Sequence, residues 1–111
     1  MITAAIAIFS LTAILGMILF SFVLKGKATP KSIVFTHGPL TLIGIILLTI
    51  YTYKHDAKSI ESLILFVIAA SGGLFMVVRD ILGHPVPKWL AILHGLLAIT
   101  GFIFLLIFQY W

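Results

Sequence analysis

Cysteine is absent from the 111 residues, which excludes disulfides, iron–sulfur clusters, thiolate zinc sites and covalently attached c-type haem. Charge is nearly as scarce. Asp, Glu, Lys and Arg make up 9% of the chain and only three residues are acids, whereas a soluble domain averages about 25% charged residues. With 62% hydrophobic residues and a mean hydropathy of +1.29, a chain this short has too little interior to hide its apolar surface. A soluble globular protein is therefore excluded, and so is a disordered one. The formal net charge of +4 resembles a nucleic-acid signal, but the basic residues sit in links between apolar runs. No nucleic-acid partner is expected.

What remains is membrane. Four apolar runs, Ile2–Leu24, Ile33–Tyr53, Ile60–Val78 and Trp89–Trp111, each approach the roughly 20 residues that a spanning helix needs. They consume nearly all of the sequence, so residues 1–111 read as one transmembrane domain in contact with lipid. The first run lacks a positive n-region and is too long for the core of a cleavable signal peptide. Lys25, Lys27, Lys31, Arg79 and Lys88 fall in or beside the links 25–32 and 79–88, whereas the opposite side carries Lys54 and Lys58, diluted by Asp56 and Glu61. The positive-inside rule then puts those two links in the cytoplasm and both termini outside, as in a bacterial inner membrane. Tyr51, Tyr53, Tyr110 and Trp111 form an aromatic belt on the outer side.

The sequence also repeats itself. An offset of 57 residues aligns Pro30–Lys31 with Pro87–Lys88, His37–Gly38 with His94–Gly95, Leu40 with Leu97, Gly44 with Gly101 and Gly16 with Gly73. Apolar matches carry little weight in such a chain, but Pro, Lys, His and Gly matching at one offset do. The expected fold class is an all-α integral membrane protein, a four-helix transmembrane bundle built from two duplicated helical hairpins. The repeats are residues 1–54 and 58–111. Each repeat crosses twice, so the copies are parallel and related by a pseudo-two-fold axis along the membrane normal. Spans 2 and 4 should face each other. Pro30 and Pro87 suit the first helical turn, with Thr29 as the cap of span 2. Pro39, which has no counterpart in the second repeat, should kink span 2.

The duplication places two imidazoles at one depth. His37 and His94 each lie six residues beyond a lysine, Lys31 or Lys88, which is about 9 Å deeper along a helix. Ionisable residues within spans are costly and point to function. Thr41 and Gly44 share the face of His37, Ala98 and Gly101 that of His94, and Gly16 and Gly73 fall at similar depth on the flanking spans. Such clearance suits a flat, wide group held between the two rings. A non-covalent haem b, one per chain, fits that description, with its iron on His37 and His94 and its propionates toward Lys31, Lys88 and Arg79.

Through the His-Gly pairs of spans 2 and 4, His37–Gly38 and His94–Gly95, the chain resembles the small four-helix membrane b-type cytochromes of the cytochrome b561-like kind. That resemblance implies axial ligation by the two histidines and electron transfer, with a quinol, superoxide or a redox protein as partner. Many such cytochromes hold two haems. Here the opposite side offers only His55, and a homodimer pairing two His55 residues would be needed for a second site. Other readings stay open: the histidines as a copied helix–helix hydrogen bond, non-redox haem handling or transport, or a structural subunit of a membrane complex. A mononuclear zinc or copper site lacks ligands. Small multidrug transporters share the length, but they need an acid within a span, and the three acids here lie at loops or span edges. No nucleophile, catalytic base or nucleotide loop is visible, so any oxidoreductase chemistry would belong to the cofactor.

Overall fold

A computed structural model describes residues 1–56 and 58–111. It contains four helices, α1 (Ile2–Leu24), α2 (Lys31–Lys54), α3 (Ile60–Ile81) and α4 (Lys88–Tyr110), with no strand among the described residues. Each has 22 to 24 residues, or about 33–36 Å at the helical rise of 1.5 Å. All four are long and apolar enough to cross a membrane. The chain is an integral-membrane four-helix bundle with principal extents of 42 × 21 × 19 Å.

The duplication is visible in how the helices begin and end. α1 and α3 both stop at a glycine with positive φ, Gly26 (68°) and Gly83 (80°). Around the first, Gly26 N–H donates to Val23 O at 3.1 Å and Lys27 N–H to Phe22 O at 2.9 Å; around the second, Gly83 N–H donates to Asp80 O at 3.1 Å and His84 N–H to Arg79 O at 2.9 Å. This is the paired-bond glycine stop that satisfies orphaned carbonyls at a helix end. α2 and α4 both start at a proline, with Pro30 and Pro87 as N-caps at φ −64° and −63°. The prolines thus precede the first helical turn instead of occupying it. Thr29 does not cap α2, contrary to the expectation from sequence; its Oγ1 donates to Asp80 Oδ2 at 2.9 Å. α2 continues through Pro39 as one helix.

Each helix packs on two others: α1 and α3 both touch α2 and α4. The four therefore form a square, with α1 opposite α3 and α2 opposite α4. Burial follows the offset as well. Ile2, Ala5, Phe9 and Thr12 are buried on α1, and so are their counterparts Ser59, Ser62, Phe66 and Ala69; Gly44 and Leu48 pair in the same way with Gly101 and Leu105. Phe9 and Phe66 stack across the first diagonal, with ring centres 4.0 Å apart and planes 6° apart. Their rings fit because Gly44 and Gly101 carry no side chain. A Cβ on Gly44 would lie 2.9 Å from Phe9 Cε1, and one on Gly101 3.5 Å from Phe66 Cε1. Small residues that admit close packing are what holds helices together in lipid, where the hydrophobic effect between them is lost.

This core fills the half of the bundle that carries both termini. From the histidines to the opposite end, Ala91 is the one buried residue among those described. Outward-facing Met17, Phe35, Leu74 and Trp89 are exposed, as lipid-facing side chains should be. Hydroxyls that cannot reach a partner helix, such as Thr36, Thr49, Ser71 and Thr100, donate to the carbonyl four residues back, which removes their cost in lipid.

Candidate functional site

The two imidazoles meet where the packed half ends. His37 on α2 and His94 on α4 face each other across the second diagonal, with ring centres 6.3 Å apart and planes at 75°. Each leans on the preceding helix of its own hairpin. His37 Nδ1 lies 2.9 Å from the Thr12 carbonyl oxygen, and His94 Nδ1 lies 2.6 Å from that of Ala69. Thr12 and Ala69 are themselves equivalent at the offset of 57, so both copies build the same bond.

That bond decides the tautomer. A carbonyl oxygen can only accept, so in each neutral ring Nδ1 carries the proton and Nε2 keeps a bare lone pair. Neither Nε2 has a hydrogen-bond partner among the described residues. Nor is any unpartnered polar side-chain atom sealed inside the packing among the described residues, so neither Nε2 is fully buried. Histidines that ligate a metal characteristically donate their other N–H to a carbonyl or carboxylate, which orients the ring and raises its basicity.

The glycines have separable roles. A Cβ at Gly16 would lie 3.1 Å from His37 Cε1, and one at Gly73 would lie 3.0 Å from His94 Cε1. Their clearance is thus taken up by the imidazoles, which could not reach the Thr12 and Ala69 carbonyls past a side chain. Gly44 and Gly101 hold the aromatic floor described above. Gly38 and Gly95 would bring a Cβ within 4 Å of nothing, so the second half of each His-Gly pair lies away from the rings. Thr41 Oγ1 is engaged by the His37 carbonyl at 2.8 Å, and Ala98 is half-buried on α4.

The basic residues divide unequally. Lys31 Nζ is 2.5 Å from Asp80 Oδ2 and also donates to Thr29, which ties the start of α2 to the end of α3. Arg79 Nε donates to Pro85 O at 3.2 Å. Lys88 is exposed and makes no hydrogen bond or ion pair among the described residues. Lys25 and Lys27, at the same end, are exposed and equally without a side-chain partner among the described residues. His84 is exposed in the same loop, and His55, at the other end of the molecule, stacks on Tyr51 with ring centres 4.0 Å apart.

Three contributors escaped the sequence reading: the Thr12 and Ala69 carbonyls, the Phe9–Phe66 stack and the Gly26–Gly83 stops. Backbone oxygens leave no residue signature, but the last two pairs match at the same offset of 57. Among the described residues no three His, Cys, Asp or Glu converge as a metal cluster. No protein-family model, curated protein or solved structure matches the chain.

Proposed function

We propose that this chain is a membrane-embedded b-type haem protein that passes single electrons between a membrane or soluble donor and an acceptor. The observation that carries the reading is the matched pair of imidazoles, each with Nδ1 committed to a backbone carbonyl and Nε2 free, 6.3 Å apart between ring centres. A metal–imidazole bond of about 2.0–2.1 Å, plus about 1.1 Å from nitrogen to ring centre, would bring the centres of two imidazoles holding one metal between them to roughly 6.2–6.4 Å. The spacing and donor chemistry fit.

The surroundings fit on one side and limit the group on the other. Phe9 and Phe66 close the termini side of the pair, whereas Ala91 is the one buried residue among those described in the half beyond it, so a macrocycle would seat on that side. When bound, the iron would supply a reversible one-electron couple. His37 and His94 would hold it through Nε2; the Thr12 and Ala69 carbonyls keep both rings in that tautomer; the aromatic floor excludes water from the termini side. Lys88 offers a propionate its charge directly, whereas Lys31 and Arg79 would have to leave Asp80 and Pro85. The sparse burial of that half also favours a second reading, in which haem is exchanged or handed on without redox turnover. The orientation, with links 25–32 and 79–88 cytoplasmic in a bacterial inner membrane, rests on five basic residues against two.

The test is optical. The protein expressed with haem available should purify with a reducible Soret band at one haem per chain, and both His37→Ala and His94→Ala should lose it. A colourless protein, or a band indifferent to both changes, refutes the reading. Rapid reduction by a quinol or by superoxide separates an electron carrier from a haem store.

A further inference from the structure

Apart from the histidines, the two hairpins differ most usefully at the termini end. Four positions that are apolar in the first copy, Met1, Ile2, Ala4 and Ala5, correspond at the offset of 57 to Lys58, Ser59, Glu61 and Ser62 in the second. In the first copy Ile2 and Ala5 are buried and belong to the core. In the second, where Ser59 replaces the bulkier Ile2, a half-open cavity of about 310 Å³ lies between the start of α3 and the end of α4, walled by Phe104 and Ile107. That volume is at the lower end of the range for small-molecule sites, about 300–1,000 Å³.

The lining is chemically split. Ser59 Oγ is bonded to Thr52 Oγ1 at 2.7 Å and fixes the floor. Lys58 and Glu61 flank the mouth with opposite charges, yet they form no ion pair; Lys31–Asp80 is the one such pair among the described residues. Phe104 and Ile107 are exposed along the lipid-facing surface, so the cavity continues sideways into the acyl region. A complementary occupant carries an anion and a cation a few atoms apart on an apolar tail, and it sits at the helix ends where headgroups lie.

We infer that this cavity is a seat for a single phosphoethanolamine-type phospholipid, its phosphate on Lys58, its ammonium on Glu61 and an acyl chain along Phe104 and Ile107. A primary ammonium has three N–H donors for the Glu61 carboxylate and the Ser62 hydroxyl. A choline head has none, and a glycerol head lacks the cation. The site is separate from the histidine pair, and its fate is independent of whether haem binds there.

The experiment uses the full chain in nanodiscs of equal parts phosphatidylethanolamine, phosphatidylcholine and phosphatidylglycerol, released into mild detergent and weighed by native mass spectrometry. A headgroup charge contact is worth up to about fivefold in occupancy, so retained phosphatidylethanolamine should exceed the other two by roughly three- to fivefold. Glu61→Gln should abolish that preference while leaving phosphatidylglycerol retention unchanged, and Lys58→Ala should lower retention of all three. Restoring the first copy's bulk with Ser59→Ile should empty the site. Because Glu61 is exposed, its variant reports even if the cavity-filling Ser59→Ile fails to fold. No enrichment, a preference for another headgroup, retention of a quinone instead, or enrichment indifferent to Glu61→Gln would each overturn the inference.

Discussion

Gly73→Ala puts the packing of the histidine site to a quantitative test. A Cβ at residue 73 would lie 3.0 Å from His94 Cε1 and 3.5 Å from its Nδ1, whereas carbon atoms pack best about 3.5–4.0 Å apart. The imidazole must therefore retreat by roughly half an ångström, and its Nδ1 is anchored 2.6 Å from the Ala69 carbonyl oxygen. Overpacking of this kind costs about 1–3 kcal/mol, and weakening the hydrogen bond adds up to about 0.5–1.5 kcal/mol. Removing a glycine from a helix interior returns only about 0.5–1 kcal/mol. The net expectation is a destabilisation of about 1–3 kcal/mol. Gly95→Ala, where a Cβ meets nothing within 4 Å, should show the gain alone, which separates the two variants by about 2–4 kcal/mol. Denaturant or thermal titration in one detergent reads the difference directly, and Gly16→Ala should track Gly73→Ala. Variants at 16 and 73 as stable as the one at 95 would show that the imidazoles do not occupy the clearance described here.

Three other expectations follow from the geometry. Phe9→Ala and Phe66→Ala should each cost about 3–5 kcal/mol, with a coupling of about 0.5–1.5 kcal/mol in the double-mutant cycle; an additive cycle would mean that the stack contributes only through area. Gly44→Ala, whose Cβ would sit 2.9 Å from Phe9 Cε1, should destabilise more than Gly101→Ala, where the nearest atom is Leu65 Cβ at 3.2 Å; the reverse order in the same titration would contradict the floor. Lys31→Ala and Asp80→Asn should show a coupling of only about 0.2–1 kcal/mol, because Lys31 is exposed and Asp80 only half-buried. That coupling should shrink as salt rises, and salt independence would place the pair in a drier setting.

Much of this architecture is legible in the residues because membrane spans advertise themselves by length and hydropathy. α1 runs over Ile2–Leu24 as the sequence reading has it, and the other three helices differ from it by at most three residues at an end. The differences have a common cause: Lys31, Lys54, Arg79 and Lys88 are too polar for an apolar count, yet they continue the helix at the interface. The pairing of α2 with α4 across the axis also follows from the repeat, since two parallel hairpins have few other ways to pack. What a residue count cannot supply is which atom fills a gap. Gly16 and Gly73 read as room for a bound group because a glycine signals space but not its occupant; the structure gives that space to the imidazoles. Thr29 reads as a cap because it precedes a helix, but Asp80 competes for its hydroxyl from a residue far along the chain.

If His37 and His94 hold the proposed haem with the ring orientation of the structure, low-temperature electron paramagnetic resonance of the ferric protein will read that orientation. With imidazole planes at 75°, the expected result is a low-spin signal of the strongly anisotropic type given by near-perpendicular imidazoles, absent from both His37→Ala and His94→Ala. A high-spin ferric signal, a rhombic low-spin signal of the parallel-ring type, or no iron signal at all would contradict it.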